Sequence, residues 1–158
     1  MISYRLHGGE ELRQISRQLR HVGNGREIRK QFSRDLRLAA KPLVPKVRSS
    51  IAAIPTSGGK STGLRRRMQK ATRLTVRTSG RSAQVSVRVD GRKMGEREGA
   101  LPAYMEGSKR RWRHPVYGTD TWVEQAPKPY FQRAVAGAGA AGRLAIHRTL
   151  RKITREIT

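Results

Sequence analysis

Both tryptophans, two of the four tyrosines and one of the two phenylalanines of this chain fall between residues 110 and 131. Aromatic residues make up only 5% of the sequence, so this concentration marks where large rings can anchor a junction. The stretch reads Arg110-Arg111-Trp112-Arg113-His114-Pro115-Val116-Tyr117-Gly118, then Thr121-Trp122-Val123-Glu124-Gln125, then Pro129-Tyr130-Phe131. Pro115 biases His114 away from helix, and Gly118 permits a turn before Trp122. Pro127 and Pro129 prepare a helix start at Tyr130. Together they predict a short β-turn-β segment leading into a long helix, with Trp122 packed among Val116, Val123 and the start of that helix.

The N-terminal third is helical by periodicity. Over residues 10–22, Leu12, Ile15, Leu19 and Val22 recur at steps of three and four, with Glu10 and Glu11 in the first turn where the helix dipole favours negative charge. Gly23-Asn24-Gly25 ends that helix. A longer one starts near Arg26, with Ile28, Phe32, Leu36, Leu43, Val47 and Ile51 along one face. Pro42 and Pro45 kink or split it. Its opposite face carries Arg29, Lys30, Arg34, Arg37, Lys41 and Arg48, which suits a solvated surface and nucleic-acid contact equally.

Residues 54–63 read as a loop rich in glycine and serine, expected to be mobile in a free subunit. Gly59-Lys60-Ser61 invites a phosphate-loop reading, but the glycine needed five positions earlier is Ile54, so a linker is expected. Arg65-Arg66-Arg67 and Lys70 lead into two alternating runs, Leu74 and Val76, then Val85, Val87 and Val89, a hairpin with one buried and one basic face. Met94 lies in a polar setting, and residues 101–105 read as helical or extended. The last element is a helix over residues 130–157. Gly137, Gly139 and Gly142 permit close packing there, and Leu144, Ile146, Leu150, Ile153 and Ile157 form its apolar stripe. The expected architecture is α+β: N-terminal helices, a small antiparallel β-sheet and a long C-terminal helix packed on the sheet. One domain spans residues 1–158, divided into N-terminal helices (1–54), a flexible basic loop (55–70), a β-rich part (71–125) and the C-terminal helix (129–158).

A net charge of +24 makes an isolated subunit self-repelling and favours nucleic acid or acidic protein surfaces as partners. The absence of cysteine removes disulfides, thiolate metal sites and cysteine nucleophiles. No apolar run approaches the length of a membrane span, so no membrane partner is expected and a soluble chain in the cytoplasm is. His7, His21, His114 and His147 lie far apart without metal-ligand spacing. His114 as a general base would require Asp120 or Glu124 to orient it, and no nucleophile or cofactor loop completes such a site. The expectation is a protein that is not an enzyme and takes no cofactor and no metal. Trp112 and Trp122 amid arginines suit base stacking, yet their place in a turn leading to a helix favours packing.

The run Trp-Arg-His-Pro-Val-Tyr-Gly, then Trp-Val-x-Gln, then Pro-Tyr-Phe, resembles the signature of a family of neck proteins of long-tailed bacteriophages, the tail-completion or head-to-tail connector proteins. The likeness covers residues 110–131 and extends weakly upstream through residues 101–107. It implies a virion protein, made in the host cytoplasm, that forms a homo-oligomeric ring joining portal to tail, with neighbouring connector and tail proteins as partners and DNA passing through the lumen. By this likeness Arg111, Trp112, His114, Pro115, Gly118, Trp122, Tyr130 and Phe131 build the fold and its subunit contacts. Arg65, Arg66, Arg67, Arg73, Arg77 and Arg88 are the expected contacts to DNA or acidic partners, with protein contacts favoured for most. Composition alone favours a rival: a ribosomal or nucleoid-type protein that coats nucleic acid.

Overall fold

In the computed structural model, residues 2–8, 10–55, 63–79, 83–95, 98–107, 110–115 and 120–158 are described. Gly118, nearly all of the 55–63 loop and most of the hairpin turn after Thr78 lie outside them.

Strand β3 (Gln84–Val89) is the centre of a three-stranded antiparallel sheet, flanked by β1 (Ile2–Gly8) and β2 (Thr72–Arg77). The β2–β3 hairpin has the expected faces: Leu74 is opposite Val87 and Val76 opposite Val85, while Arg73 is opposite Arg88. The N-terminal strand was not anticipated. It pairs Ile2 with Val89 and Tyr4 with Val87, so β3 has a neighbour on each side. That explains why Ser86, on the polar face, is only 4% exposed.

The N-terminal helices are α1 (Glu10–Gln18), α2 (Gly25–Ala40) and α3 (Leu43–Ala52). Helix α1 stops earlier than its apolar pattern suggests, because the N–H groups of Arg20 and His21 bond back three residues to Arg17 and Gln18. Leu19 is nonetheless buried in that tightened turn. Pro42 and Pro45 split α2 from α3 as expected. Both sit at the start of α3, where a missing N–H leaves no intrahelical bond unmade. Phe32, Leu36, Leu43, Val47 and Ile51 are all buried.

The stretch read as loop up to residue 70 folds from Leu64 onward as helix α4 (Leu64–Ala71), which buries Met68 and Ala71 and runs straight into β2. Met94, expected in a polar setting, is buried beyond a short 3-10 turn (Gly91–Lys93). Helix α5 (Leu101–Glu106) precedes a separate two-stranded ribbon, β4 (Trp112–Pro115) and β5 (Trp122–Gln125). The chain ends in α6 (Phe131–Ile157), which lies against α2, α3 and β1. Its buried residues include Phe131, Val135, Gly139, Gly142, Ile146, Leu150 and Ile153. Leu144 departs from the expected stripe and is exposed. One continuous apolar core joins the helices, the valine face of the sheet and the aromatic junction. The architecture is thus α+β, with N-terminal helices, a small antiparallel sheet and the C-terminal helix packed near it.

Candidate functional site

The ribbon separates the two tryptophans. In an antiparallel pair, opposed residues share a face, and here Trp112 is opposite Gln125 and His114 opposite Val123. That face turns inward. Trp112 is buried, its ring 5.8 Å from that of Tyr104 on α5. Gln125 donates to Met105 Sδ, and His114 Nε2 lies 3.0 Å from Gln125 Oε1. Arg113, Trp122 and Glu124 occupy the other face, and Trp122 is 56% exposed rather than packed as expected. The Trp112 indole N–H is buried without an acceptor among the described residues.

His114 and Glu124, the carboxylate expected to orient it, lie on opposite faces of the ribbon. That carboxylate accepts from Arg111 at 3.5 Å. Asp120, the other carboxylate considered, is exposed. Among the described residues no cluster of three or more His, Asp or Glu is placed to hold a metal.

The junction with α6 rests on a residue that sequence reasoning passed over. Glu106 Oε2 accepts from the backbone N–H of Tyr130 at 3.0 Å and of Phe131 at 2.7 Å, and Oε1 accepts from Gln132 N–H at 2.8 Å. A carboxylate from α5 therefore caps α6, whose own N-cap side chain makes no capping bond. The signal available was the acidic residue in the segment over residues 101–107. Tyr130 and Phe131 are both buried, in edge-to-face contact, and Tyr130 O–H reaches the Pro102 carbonyl. Burial first, then the Glu106 charge, push the Tyr130 phenol well above its ordinary pKa.

Of the six basic residues read as partner contacts, three are held by named internal groups. Arg65 donates to the carbonyls of Ala52 and Ile54, capping the end of α3. Arg67 forms a two-pronged pair with Glu98, its Nε 2.6 Å from Oε2. Arg88 pairs with buried Asp90. Arg66, Arg73 and Arg77 are exposed. Arg48, grouped by sequence with the basic face of α2, instead donates to the carbonyls of Gln69 and Thr72 and ties α3 to α4. Asp90 itself is held below its ordinary pKa, chiefly by the hydrogen bond from Arg92, against the opposing effect of burial and with help from the charges of Arg92 and Arg88.

A second basic surface lies on α2. Arg26, Arg29, Lys30, Arg34 and Arg37 line an open groove of about 430 Å³ between that helix and the end of β2. Ser33 and Thr78 meet in it, their hydroxyls 3.3 Å apart.

Comparison with family models, with curated proteins and with solved structures yields no match for this chain. No helix among the described residues is long and apolar enough to cross a membrane.

Proposed function

We propose that the protein is a structural subunit of a tailed-phage neck, assembling with copies of itself into a ring between capsid portal and tail around the DNA channel, and that it catalyses no reaction. The observation that carries this reading is the exposed indole of Trp122, within the stretch whose residues resemble the neck family. A large ring left half in water, on the outer face of a ribbon whose inner face is packed, suits a contact completed by another subunit. The ribbon also has no third strand among the described residues, and open edges readily accept one. In this reading the body formed by the helices, the sheet and the long α6 packed on them is the rigid part. The ribbon is the joining surface, toward other copies and toward adjacent connector and tail proteins. The protein then belongs to the virion, after synthesis in the host cytoplasm.

The test is light scattering on nuclease-treated protein, alongside a head-to-tail joining assay. A ring-sized oligomer that Trp122→Ser reduces to monomer, with loss of joining, is the expected result. A chain that joins particles normally with Trp122→Ser, or that stays soluble only with nucleic acid bound, overturns the reading. The second of those outcomes would favour a nucleic-acid-coating protein, the alternative supported by the charge of +24.

A further inference from the structure

We propose that the α2 groove is a binding site for the phosphodiester backbone of duplex DNA, distinct from the hairpin and α4 arginines, and present whether or not the subunit forms rings. The lining residues recur at steps of three and four, so Arg26, Lys30, Ser33 and Arg37 run along one side of the helix. At about 1.5 Å per residue, Arg26 and Arg37 stand roughly 16 Å apart along the axis. A duplex carries one phosphate charge per about 1.7 Å with both strands counted, so a segment of that length holds roughly ten phosphates, of which those on the near side face this row.

Several features favour phosphate over a weaker or more diffuse partner. Among the described residues no carboxylate lines the groove. Lys30 has Glu27 at 3.5 Å, but Arg26, Arg29, Arg34 and Arg37 have no carboxylate partner among the described residues. Asp35, the other acid on this helix, hydrogen-bonds Gln31 and faces Lys152 of α6. Arg29 is only partly exposed and lines the groove, so its guanidinium is already held near the place a phosphate would occupy. In the Ser33–Thr78 hydroxyl pair one O–H donates to the other, leaving one neutral O–H of the kind that bonds phosphate oxygens. By contrast, Arg65, Arg67 and Arg88 already hold internal partners.

The experiment measures anisotropy of a labelled mixed-sequence duplex titrated with the full chain over a salt series. It compares wild type, Arg29→Gln/Arg34→Gln/Arg37→Gln, and a control with the same charge change, Arg66→Gln/Arg73→Gln/Arg77→Gln. Circular dichroism verifies that each variant is folded. The groove variant is expected to flatten the log-log salt slope by about 2.7, from 0.9 per lost phosphate contact, while the control changes it by less than about 1. Arg29→Lys, which keeps the charge but loses the planar guanidinium fork, is expected to weaken binding several-fold with the slope nearly unchanged. Equal effects from the two triple variants would mean diffuse attraction and overturn the proposal. So would a groove variant that binds duplex like wild type but has lost affinity for polyglutamate, which would assign the groove to an acidic protein.

Discussion

The backbone N–H of Phe131 donates to Glu106 Oε2 at 2.7 Å, joining the end of the short helix α5 to the start of the longest helix in the chain. Three consecutive N–H donors that have no intrahelical acceptor end on this one carboxylate. The negative charge also lies at the positive end of the α6 dipole. Glu106→Ala is therefore expected to destabilise the subunit by about 2 kcal/mol, combining a lost cap with partly buried donors left unpaired. Thermal melts should fall by roughly 4–8 °C for a chain of this size. Glu106→Gln, which retains one acceptor oxygen, should fall less. A wild-type midpoint for Glu106→Ala would show that water caps the helix equally well.

The two tryptophans should respond oppositely to truncation. Trp112 is buried against Tyr104, so Trp112→Ala is expected to cost about 3–5 kcal/mol. Trp122 is 56% exposed, so Trp122→Ala should shift monomer stability by less than about 0.5 kcal/mol. Its effect should appear instead as weaker self-association in sedimentation. A large loss of stability in the monomeric Trp122 variant would place the ring inside the fold.

Asp90 supplies a pH signature. Its carboxyl is held below the ordinary value of 3.8, so it contributes stability above that pH and loses it as pH falls through the lower folded value. Denaturant midpoints taken between neutral and acid pH should therefore drop less steeply at the acid end in Asp90→Asn than in wild type. Arg92→Gln should reproduce part of the change, since its hydrogen bond is the largest cause. Parallel wild-type and Asp90→Asn curves would exclude this contribution.

The turn between α1 and α2 tests a close approach. A Cβ on Gly25 would lie 1.8 Å from the Leu19 carbonyl oxygen, whereas a Cβ on Gly23 would meet nothing within 4 Å. Gly25→Ala is expected to cost about 1–3 kcal/mol through forced backbone displacement. Gly23→Ala should be neutral or mildly stabilising, because it restricts the unfolded chain. Urea midpoints distinguish the two, and equal values would mean the turn relaxes freely.

Much of the fold was legible where one pattern dominates locally. The β2–β3 hairpin follows from valines at alternate positions, and the α2–α3 break from Pro42 and Pro45. Helix α6 begins at Phe131, one residue after the expected start. Helix α4 was obscured because its run of basic residues buries only Met68 and Ala71, too few apolar positions to show a period. Strand β1 carries an alternation of Ile2 and Tyr4 with Ser3 and Arg5, but too short a pattern to name its partner. Of the candidate site, the aromatic junction was legible as a place. The α2 groove was half-legible: Arg29, Lys30, Arg34 and Arg37 line it as one face, Lys41 and Arg48 do not, and Thr78 is brought to it from just beyond β2 by folding.

By itself the sequence determined the positive charge, the helical stripes, the hairpin and the position of the aromatic junction, because each depends on residues close together along the chain. Only the tertiary structure decided which side chains are free to meet a partner. Arg65 and Arg67 look alike beside Arg66 in sequence, yet Arg65 is occupied by the carbonyls of Ala52 and Ile54 and Arg67 by Glu98, while Arg66 stays exposed. Trp112 and Trp122 differ for a related reason. The ribbon register opposes Trp112 to Gln125 and Pro115 to Trp122, which puts the two rings on opposite faces. A shift of one residue in that register would exchange the faces of one strand, and pairing between strands is set by the turn and the packing below it.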